Sequence, residues 1–341
     1  MLKRAYDKFR SLTWYIRASA TYRRPSCAIA FGESLGDNLL CTAVARELRR
    51  RGVERIWMFS NHPDLFLNNL DISGVYPYEH RYMRLAQLFR VRVIKALYWK
   101  GDARLDKKQP LDRHVISCMC CAAGITGDIT LRPYLELTPA EIQRFNAPTW
   151  QIAIQSSAGS ARYPFANKEW FVDRFQRVVD SLGKHFAFVQ IGSASDPRLT
   201  GALDLRGATT LRETAAVLRA SRVFVGLEGF NAHLARAVDC RSVVVLGGRT
   251  LPSHFCYSCN ENIRGDTACS PCWQSNVCEF ERECMRRISV NDVVEAVSRQ
   301  LERFGSPLAE DKDFLIEAEQ GCAAAYKRTM TRNSEFQRLG I

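Results

Sequence analysis

Short apolar runs alternate with stretches whose apolar residues recur every three or four positions, and the alternation occurs twice along the chain. Cys27 to Phe31 is a continuous apolar run of strand length. It is followed by Leu35 to Arg51, apolar on one helical face and closed by Gly52, and by a second strand pattern at Arg55 to Phe59. Helical spacing returns at Pro63 to Asn69 and over Arg81 to Trp99, and His114 to Ala123 is apolar enough to be buried. Thr138 to Trp150, broken by Pro139, Asn146 and Pro148, reads as a linker. The second series then opens, with a strand at Gln151 to Gln155, a helix over Lys168 to Leu182 stopped by Gly183, a strand at His185 to Ile191 and a helix at Leu211 to Arg219. From Gly305 the pattern predicts an irregular turn and one long polar helix.

The stretch Ser221 to Thr250 carries the strongest local signal. Val223, Phe224 and Val225 form a short run suited to a strand covered on both faces, and the run ends at Gly226. Glu228-Gly229 opens a helix whose apolar positions Leu234, Ala235, Ala237 and Val238 keep helical spacing, before Val243 to Leu246 makes the next strand. In such a βαβ unit the glycine lets a ligand approach the backbone. The first helical turn offers unpaired N–H groups and the positive end of the helix dipole, which suits a phosphate. His233 lies one turn inside this helix, where it is read equally well as a core histidine or as a ligand contact.

Two successive parallel α/β domains are therefore expected, over 25–148 and 149–304, with a basic amphipathic segment at 1–24 and a helical tail at 305–341. Ligands of such sheets bind beyond the carboxyl ends of the strands, which places the site in the cleft between the domains. The length of 341 residues fits this division, and no apolar run approaches the ~20 residues of a membrane helix. The start of the chain lacks a signal-peptide pattern, so a cytoplasmic location is expected.

Most of the formal charge of +12 falls in the first 148 residues. Arg81, Arg84, Arg90, Arg92, Lys95, Lys100, Arg104, Lys107 and Lys108 face only Asp102 and Asp106. Such clustering is read either as a solvated helix face or as a surface for an anionic partner. Leu2, Tyr6, Phe9, Leu12 and Ile16 approximate an apolar stripe among basic residues. Peripheral contact with the inner face of the cytoplasmic membrane is one reading and packing onto the protein is the other.

Candidate chemistry is concentrated at turns. Asp37 stands in the first turn of the helix after the opening strand, where it either complements the helix dipole or serves as a general base reaching into the cleft. Gln155 to Pro164 is a hydroxyl-rich turn directly after a strand, with Arg162 and Lys168 available to neutralise a diphosphate. Six cysteines, Cys256, Cys259, Cys269, Cys272, Cys278 and Cys284, fall within one short stretch. Their two C-x2-C pairs suit a structural thiolate metal site, and reduced, unliganded thiols are the other reading. Spacing leaves the choice of four from six open. Cys269, Cys272, Cys278 and Cys284, which surround a Pro-Cys-Trp knuckle, are favoured for a structural zinc or iron.

Read together and in order, GDNLLCTAVARELR, the loop before EWF, Asp204 to Glu213, VGLEGFNAHLARAV and CSPCW with two later cysteines resemble the bacterial heptosyltransferases of lipopolysaccharide core synthesis, glycosyltransferase family 9. The resemblance covers about residues 27 to 300. It implies a GT-B fold and inverting transfer from a nucleotide-diphosphate sugar, usually ADP-heptose, without a catalytic metal. It matches Asp37 to the proposed base, Ser156 and Ser157 to the phosphate-binding turn, and Gly229, Phe230, Asn231 and His233 to the donor site at a helix terminus. It further suggests Asp196 for the ribose, Thr209 and Thr210 for the base pocket, and Arg162, with Lys168 in reserve, for the phosphate clamp. Glu228 departs from the family's usual Asp by one methylene, which touches donor recognition. The implied partners are a nucleotide-sugar donor and an anionic glycolipid acceptor. A protein or O-antigen glycosyltransferase of the same fold is the alternative. A more distant one is a non-catalytic basic anion-binding protein, although aromatic-interleaved basic strands of an RNA-binding type are missing and a nucleic-acid partner is not expected.

Overall fold

The computed structural model describes residues 13–17, 20, 24–32, 34–98, 111–145 and 148–316. In its first half, β1 (Cys27–Ala30), β2 (Ile56–Phe59), β3 (Gly74–Tyr76) and β4 (Arg92–Lys95) form a parallel sheet of order β3-β2-β1-β4. The helices of this half are α1 (Leu35–Arg50), α2 (His80–Leu88) and α3 (Val115–Ala122). Both β1 and β2 are buried at every position, as strands covered on two faces must be. The N-cap of α1 is Ser34, and its last turn carries Arg49 and Arg50 beside the negative helix end.

After β5 (Gly127–Thr130) and the short α4 (Pro139–Arg144), the second half builds a six-stranded parallel sheet. It consists of β6 (Ile152–Ile154), β7 (Phe188–Gln190), β8 (Ala202–Asp204), β9 (Val223–Leu227), β10 (Arg241–Val245) and β11 (Glu261–Ile263), in the order β11-β10-β9-β6-β7-β8. Its principal helices are α5 (Val172–Leu182), α6 (Leu211–Ala220), α7 (Phe230–Ala237) and α8 (Val290–Glu302). The chain then crosses back, and β12 (Lys312–Leu315) pairs antiparallel with β5 of the first half.

Three expectations are corrected. The helix expected over Arg81 to Trp99 stops at Leu88: Arg90 turns with φ 58°, and Arg92–Lys95 joins the sheet beside β1. An apolar Val93-Ile94 pair flanked by Arg92 and Lys95 is also compatible with an edge strand, and the edge position decides it. The expected linker contains α4, held by a capping box between Thr138 and Glu141. The tail contributes β12, while the long polar helix expected beyond it lies outside the described residues.

Of the N-terminal stripe, Leu2, Tyr6, Phe9 and Leu12 lie outside the described residues, and Ile16 is exposed. Trp14 and Tyr15 pack inward. Tyr15 stacks on Phe89 at 4.3 Å, and Trp14 meets Tyr76 edge-on at 4.9 Å. Among the basic cluster, Lys100, Arg104, Lys107 and Lys108 also lie outside the described residues.

The halves share one buried apolar cluster, in which Leu39, Leu40 and Ala43 of α1 join Ala232, Leu234 and Ala235 of α7. Arg212 fastens them a second time. Its buried guanidinium donates to Glu141 at 2.5 and 2.7 Å, to the Glu136 carbonyl at 2.6 Å and to the Asp64 carbonyl at 3.0 Å.

Candidate functional site

The packing of α1 against α7 brings two helix N-termini together. A methyl group placed on Gly36 would lie 3.8 Å from the Phe230 Cα and 3.9 Å from the His233 Cδ2, in ordinary contact, so Gly36 faces the start of α7 directly. Asp37 follows Gly36, and its N–H donates to Ser34 Oγ at 3.4 Å. Asn38, fully buried, donates to the carbonyls of Gly32 at 3.1 Å and Ser34 at 2.7 Å and accepts from Ser60 at 2.6 Å, which locks the turn that presents Asp37.

Across from Asp37, the strand β9 ends at Leu227 and delivers Glu228 and Gly229. Gly229 is the N-cap of α7 with φ 158° and ψ −158°, a conformation L side chains rarely adopt. Glu228 is buried, with Oε1 accepting from Lys168 Nζ at 2.7 Å and Oε2 from Thr250 Oγ1 at 3.3 Å. Burial pushes the pKa of this carboxyl up. The charges of Lys168 and Arg249, with the Lys168 hydrogen bond, outweigh burial and hold it below its ordinary value.

Two groups at this site escaped sequence reasoning. Tyr98 hydrogen-bonds Asp37, and its ring meets Phe255 edge-on at 6.1 Å, so it links the halves beside the acid. Desolvation, then the Asp37 charge and that hydrogen bond, then Glu228, push its phenol well above the ordinary value, with Arg249 opposing. Arg249 is buried to 3% exposure between Phe165 at 4.7 Å and Trp273 at 5.8 Å, and its Nε has no hydrogen-bond partner among the described residues. An enclosed arginine close enough to act on the Glu228 charge carries the planar donors that suit an anion. The faint sequence signal was its place directly after the Gly247-Gly248 turn at the end of β10.

His233 is buried, with Nδ1 2.7 Å from the Tyr257 hydroxyl. Burial lowers its pKa to about 4, with Glu228 opposing and Lys168 assisting, so the ring is neutral at pH 7. Phe230 and Asn231 are half-buried in the first turn of α7.

The structure places the remaining candidates apart from this cluster or commits their polar atoms. Ser156 donates to the Pro197 carbonyl at 2.6 Å and accepts from Gln190 at 3.0 Å, so its hydroxyl serves the fold of the loop. Ser157 Oγ accepts the Gly159 N–H at 2.9 Å. Asp196 is buried and accepts from the Ser193 N–H at 2.9 Å and from Ser160 at 2.7 Å, which closes a turn where a ribose contact was expected. Thr209 pairs with Thr214 at 2.9 Å, and Thr210 caps α6. Arg162 is exposed, its guanidinium 6.0 Å from the Tyr163 ring centroid. Lys168, held in reserve for the phosphate clamp, reaches the cleft through Glu228.

The six cysteines divide. Cys256 and Cys259 are buried in the shared core, whereas Cys269, Cys272, Cys278 and Cys284 line one cavity together with Gly248 and Arg249. Burial raises the Cys284 thiol, and its neighbours Cys272 and Cys278 raise it further against the Gly248 and Met285 backbone bonds. Among the described residues, no group of three or more His, Cys, Asp or Glu side chains is drawn together tightly enough to hold a metal ion.

Two parallel α/β halves packed on one another, with a crossover strand returning to the first, define the GT-B class of fold. Among solved structures, the chain is similar to a glycosyl transferase family 9 protein from Veillonella parvula, with a TM-score of 0.61, 14% identity and coverage of 81% of this chain and 97% of that one. It is similar to Escherichia coli ADP-heptose lipopolysaccharide heptosyltransferase II, with a TM-score of 0.60, 16% identity and coverage of 81% and 99%. It is also similar to TibC, an iron-containing dodecameric heptosyltransferase of enterotoxigenic E. coli solved with ADP-D-β-D-heptose, with a TM-score of 0.62, 16% identity and coverage of 82% and 77%. No family model matches the sequence, and no curated protein does.

Proposed function

We propose that the chain is an inverting glycosyltransferase that moves a sugar, heptose in the first instance, from a nucleoside diphosphate donor to an acceptor hydroxyl. The observation that carries this reading is the approach of the Asp37 turn to the N-terminus of α7 near the Lys168-Glu228-Arg249 cluster, which supports a carboxylate working opposite an anion-binding wall. Asp37 accepts the proton of the acceptor hydroxyl as its oxygen attacks the anomeric carbon. The bond to the donor's diphosphate oxygen breaks on the opposite face, and the electron pair leaves with the nucleoside diphosphate. The N–H groups at the start of α7, Arg249 and Lys168 stabilise the charge that develops there. Tyr98 orients the Asp37 carboxylate through their hydrogen bond. Neutral His233 packs under the site without adding charge.

The basic first half favours an anionic glycolipid acceptor, and this fits a protein working at the inner face of the cytoplasmic membrane. No helix among the described residues is long and apolar enough to cross a membrane. The four cysteines around one cavity have the donor set of a tetrahedral structural site for zinc or iron, a fit supported by their shared lining and by the iron of TibC. Drawing the thiols onto a metal would brace the wall that holds Arg249. The TibC donor supports ADP-heptose here.

Calorimetry with ADP, UDP and GDP tests the donor site. One nucleotide, ADP on this reading, is expected to bind at one per chain, and Arg249→Ala to weaken it by at least about tenfold, the worth of one charge-assisted contact. Failure of all three nucleotides to bind would overturn the proposal.

A further inference from the structure

Behind the cleft, at the opposite end of the second sheet, lies a cavity of about 440 Å³ that the transfer reaction does not use. Arg132, Arg219, Arg222, Arg236 and Arg241 line it, together with the turn Phe304 to Ser306. Arg222 and Arg241 stand at the starts of β9 and β10, whereas Glu228 follows the end of β9. The six residue steps from Arg222 to Glu228 along this strand put roughly 20 Å between the cavity and the cleft.

The charges do not cancel. Asp239 accepts from Arg236 at 2.9 Å and from Arg132 at 2.6 Å, and Glu310 lies 3.9 Å from Arg132. These two carboxylates are the acids of the lining. Arg241 is buried and spends its donors on neutral acceptors, the Ser306 carbonyl at 2.7 Å, the Pro307 carbonyl at 3.3 Å and Gln300 at 3.5 Å. Arg222 rests on the Phe304 ring at 5.3 Å, and neither it nor Arg219 forms an ion pair among the described residues. Three guanidiniums therefore stay uncompensated around one concavity. A second observation is independent of that count: Arg236 is only 1% exposed, yet its Nε finds no hydrogen-bond partner, and the Nε of Arg132 finds none either. A buried, unpaired Nε costs free energy, and converging positive charge in a concavity favours entry of an anion that could offset it.

We propose that this arginine-lined cavity is a second anion site, separate from the cleft, that takes a small phosphate-bearing ligand. Its volume suits a diphosphate or a sugar phosphate. Phosphate rather than carboxylate fits several converging forks, because three oxygens and a double charge satisfy more than one guanidinium. The phosphate belongs to a soluble ester or to the head group of a phospholipid. The lining also joins the halves, since Arg132 follows β5 and the segment from Phe304 to Glu310 leads back to β12. A bound phosphate therefore ties the crossover segment to the second sheet.

The test is titration of the full chain with inorganic pyrophosphate at low salt, alongside sedimentation with phosphatidic acid or pure phosphatidylcholine vesicles. The double variant Arg219→Ala, Arg222→Ala is expected to weaken one pyrophosphate binding event by at least about tenfold. Arg249→Ala, in the cleft, is expected to leave that event unchanged, which separates this site from the donor site. Both substituted arginines are exposed, and an unchanged unfolding midpoint verifies the fold. If pyrophosphate binding is absent but retention on phosphatidic acid vesicles is lost in the double variant, the phosphate comes from a lipid. If the double variant matches the wild type in both arms, the proposal is overturned.

Discussion

At the scale of single residues, buried histidines contribute to the loss of stability between pH 6.5 and about 4. Burial, reinforced by His233, lowers the pKa of His114 from 6.5 to about 3, and His233 itself falls to about 4. Both rings are neutral when folded and take a proton when unfolded. Below pH 6.5 the unfolded chain therefore binds more protons, and stability falls as pH drops toward the folded values, by up to about 1.4 kcal/mol per histidine per pH unit. His114 Nδ1 accepts the Ile116 N–H at 3.2 Å as the cap of α3, a role Asn fills without titrating. His114→Asn is accordingly expected to lose less stability than the wild type between pH 7 and pH 5 in denaturant unfolding. Parallel pH curves for the two proteins would show that His114 does not drive the response. The place of Asp37 in the first turn of α1 was legible in the sequence because a strand, a turn and a helix follow one another there. Tyr98 and Arg249 were not, because their roles arise from ring and charge partners many residues away.

At the scale of elements, periodicity served well where one face of an element is buried and poorly where an edge is polar. The unit from β9 through α7 to β10 was readable because continuous apolar strands bracket a clear helical repeat. β4 and β12 are edge strands with burial on few positions, and β12 pairs with β5 across a long sequence separation that no local pattern records. The cysteine knuckle lies between these cases. Spacing proposed a metal site, and the fold divides the six thiols into a buried pair and a group of four around one cavity. Metal analysis of purified protein is expected to find about one zinc or iron per chain, lost in Cys269→Ser, Cys272→Ser and retained in Cys256→Ser, Cys259→Ser. Chelation is expected to lower the unfolding midpoint and weaken nucleotide binding together, because Arg249 rests on Trp273 of the knuckle. A metal content below about one tenth equivalent would count against the site.

At the scale of the whole molecule, the two halves each supply part of one site. On the proposed reading the second offers the helix terminus, Arg249 and Lys168 and the first offers Asp37 and Tyr98, and the α1–α7 contact with the Arg212 tether holds the two halves together. The two-domain α/β plan was legible from the repeated alternation, whereas the crossover from α8 to β12 that rejoins the halves was not. Excluding water from such a cleft protects the donor from hydrolysis and strengthens every charge interaction within it. The proposed mechanism puts donor binding and proton removal on different halves, so it predicts that the two functions are separable by mutation. The most direct test is sugar transfer by Asp37→Asn, measured beside its donor affinity. The account predicts that turnover falls by about 10²- to 10⁴-fold while the donor dissociation constant stays within about threefold of wild type. Wild-type turnover in Asp37→Asn would contradict it.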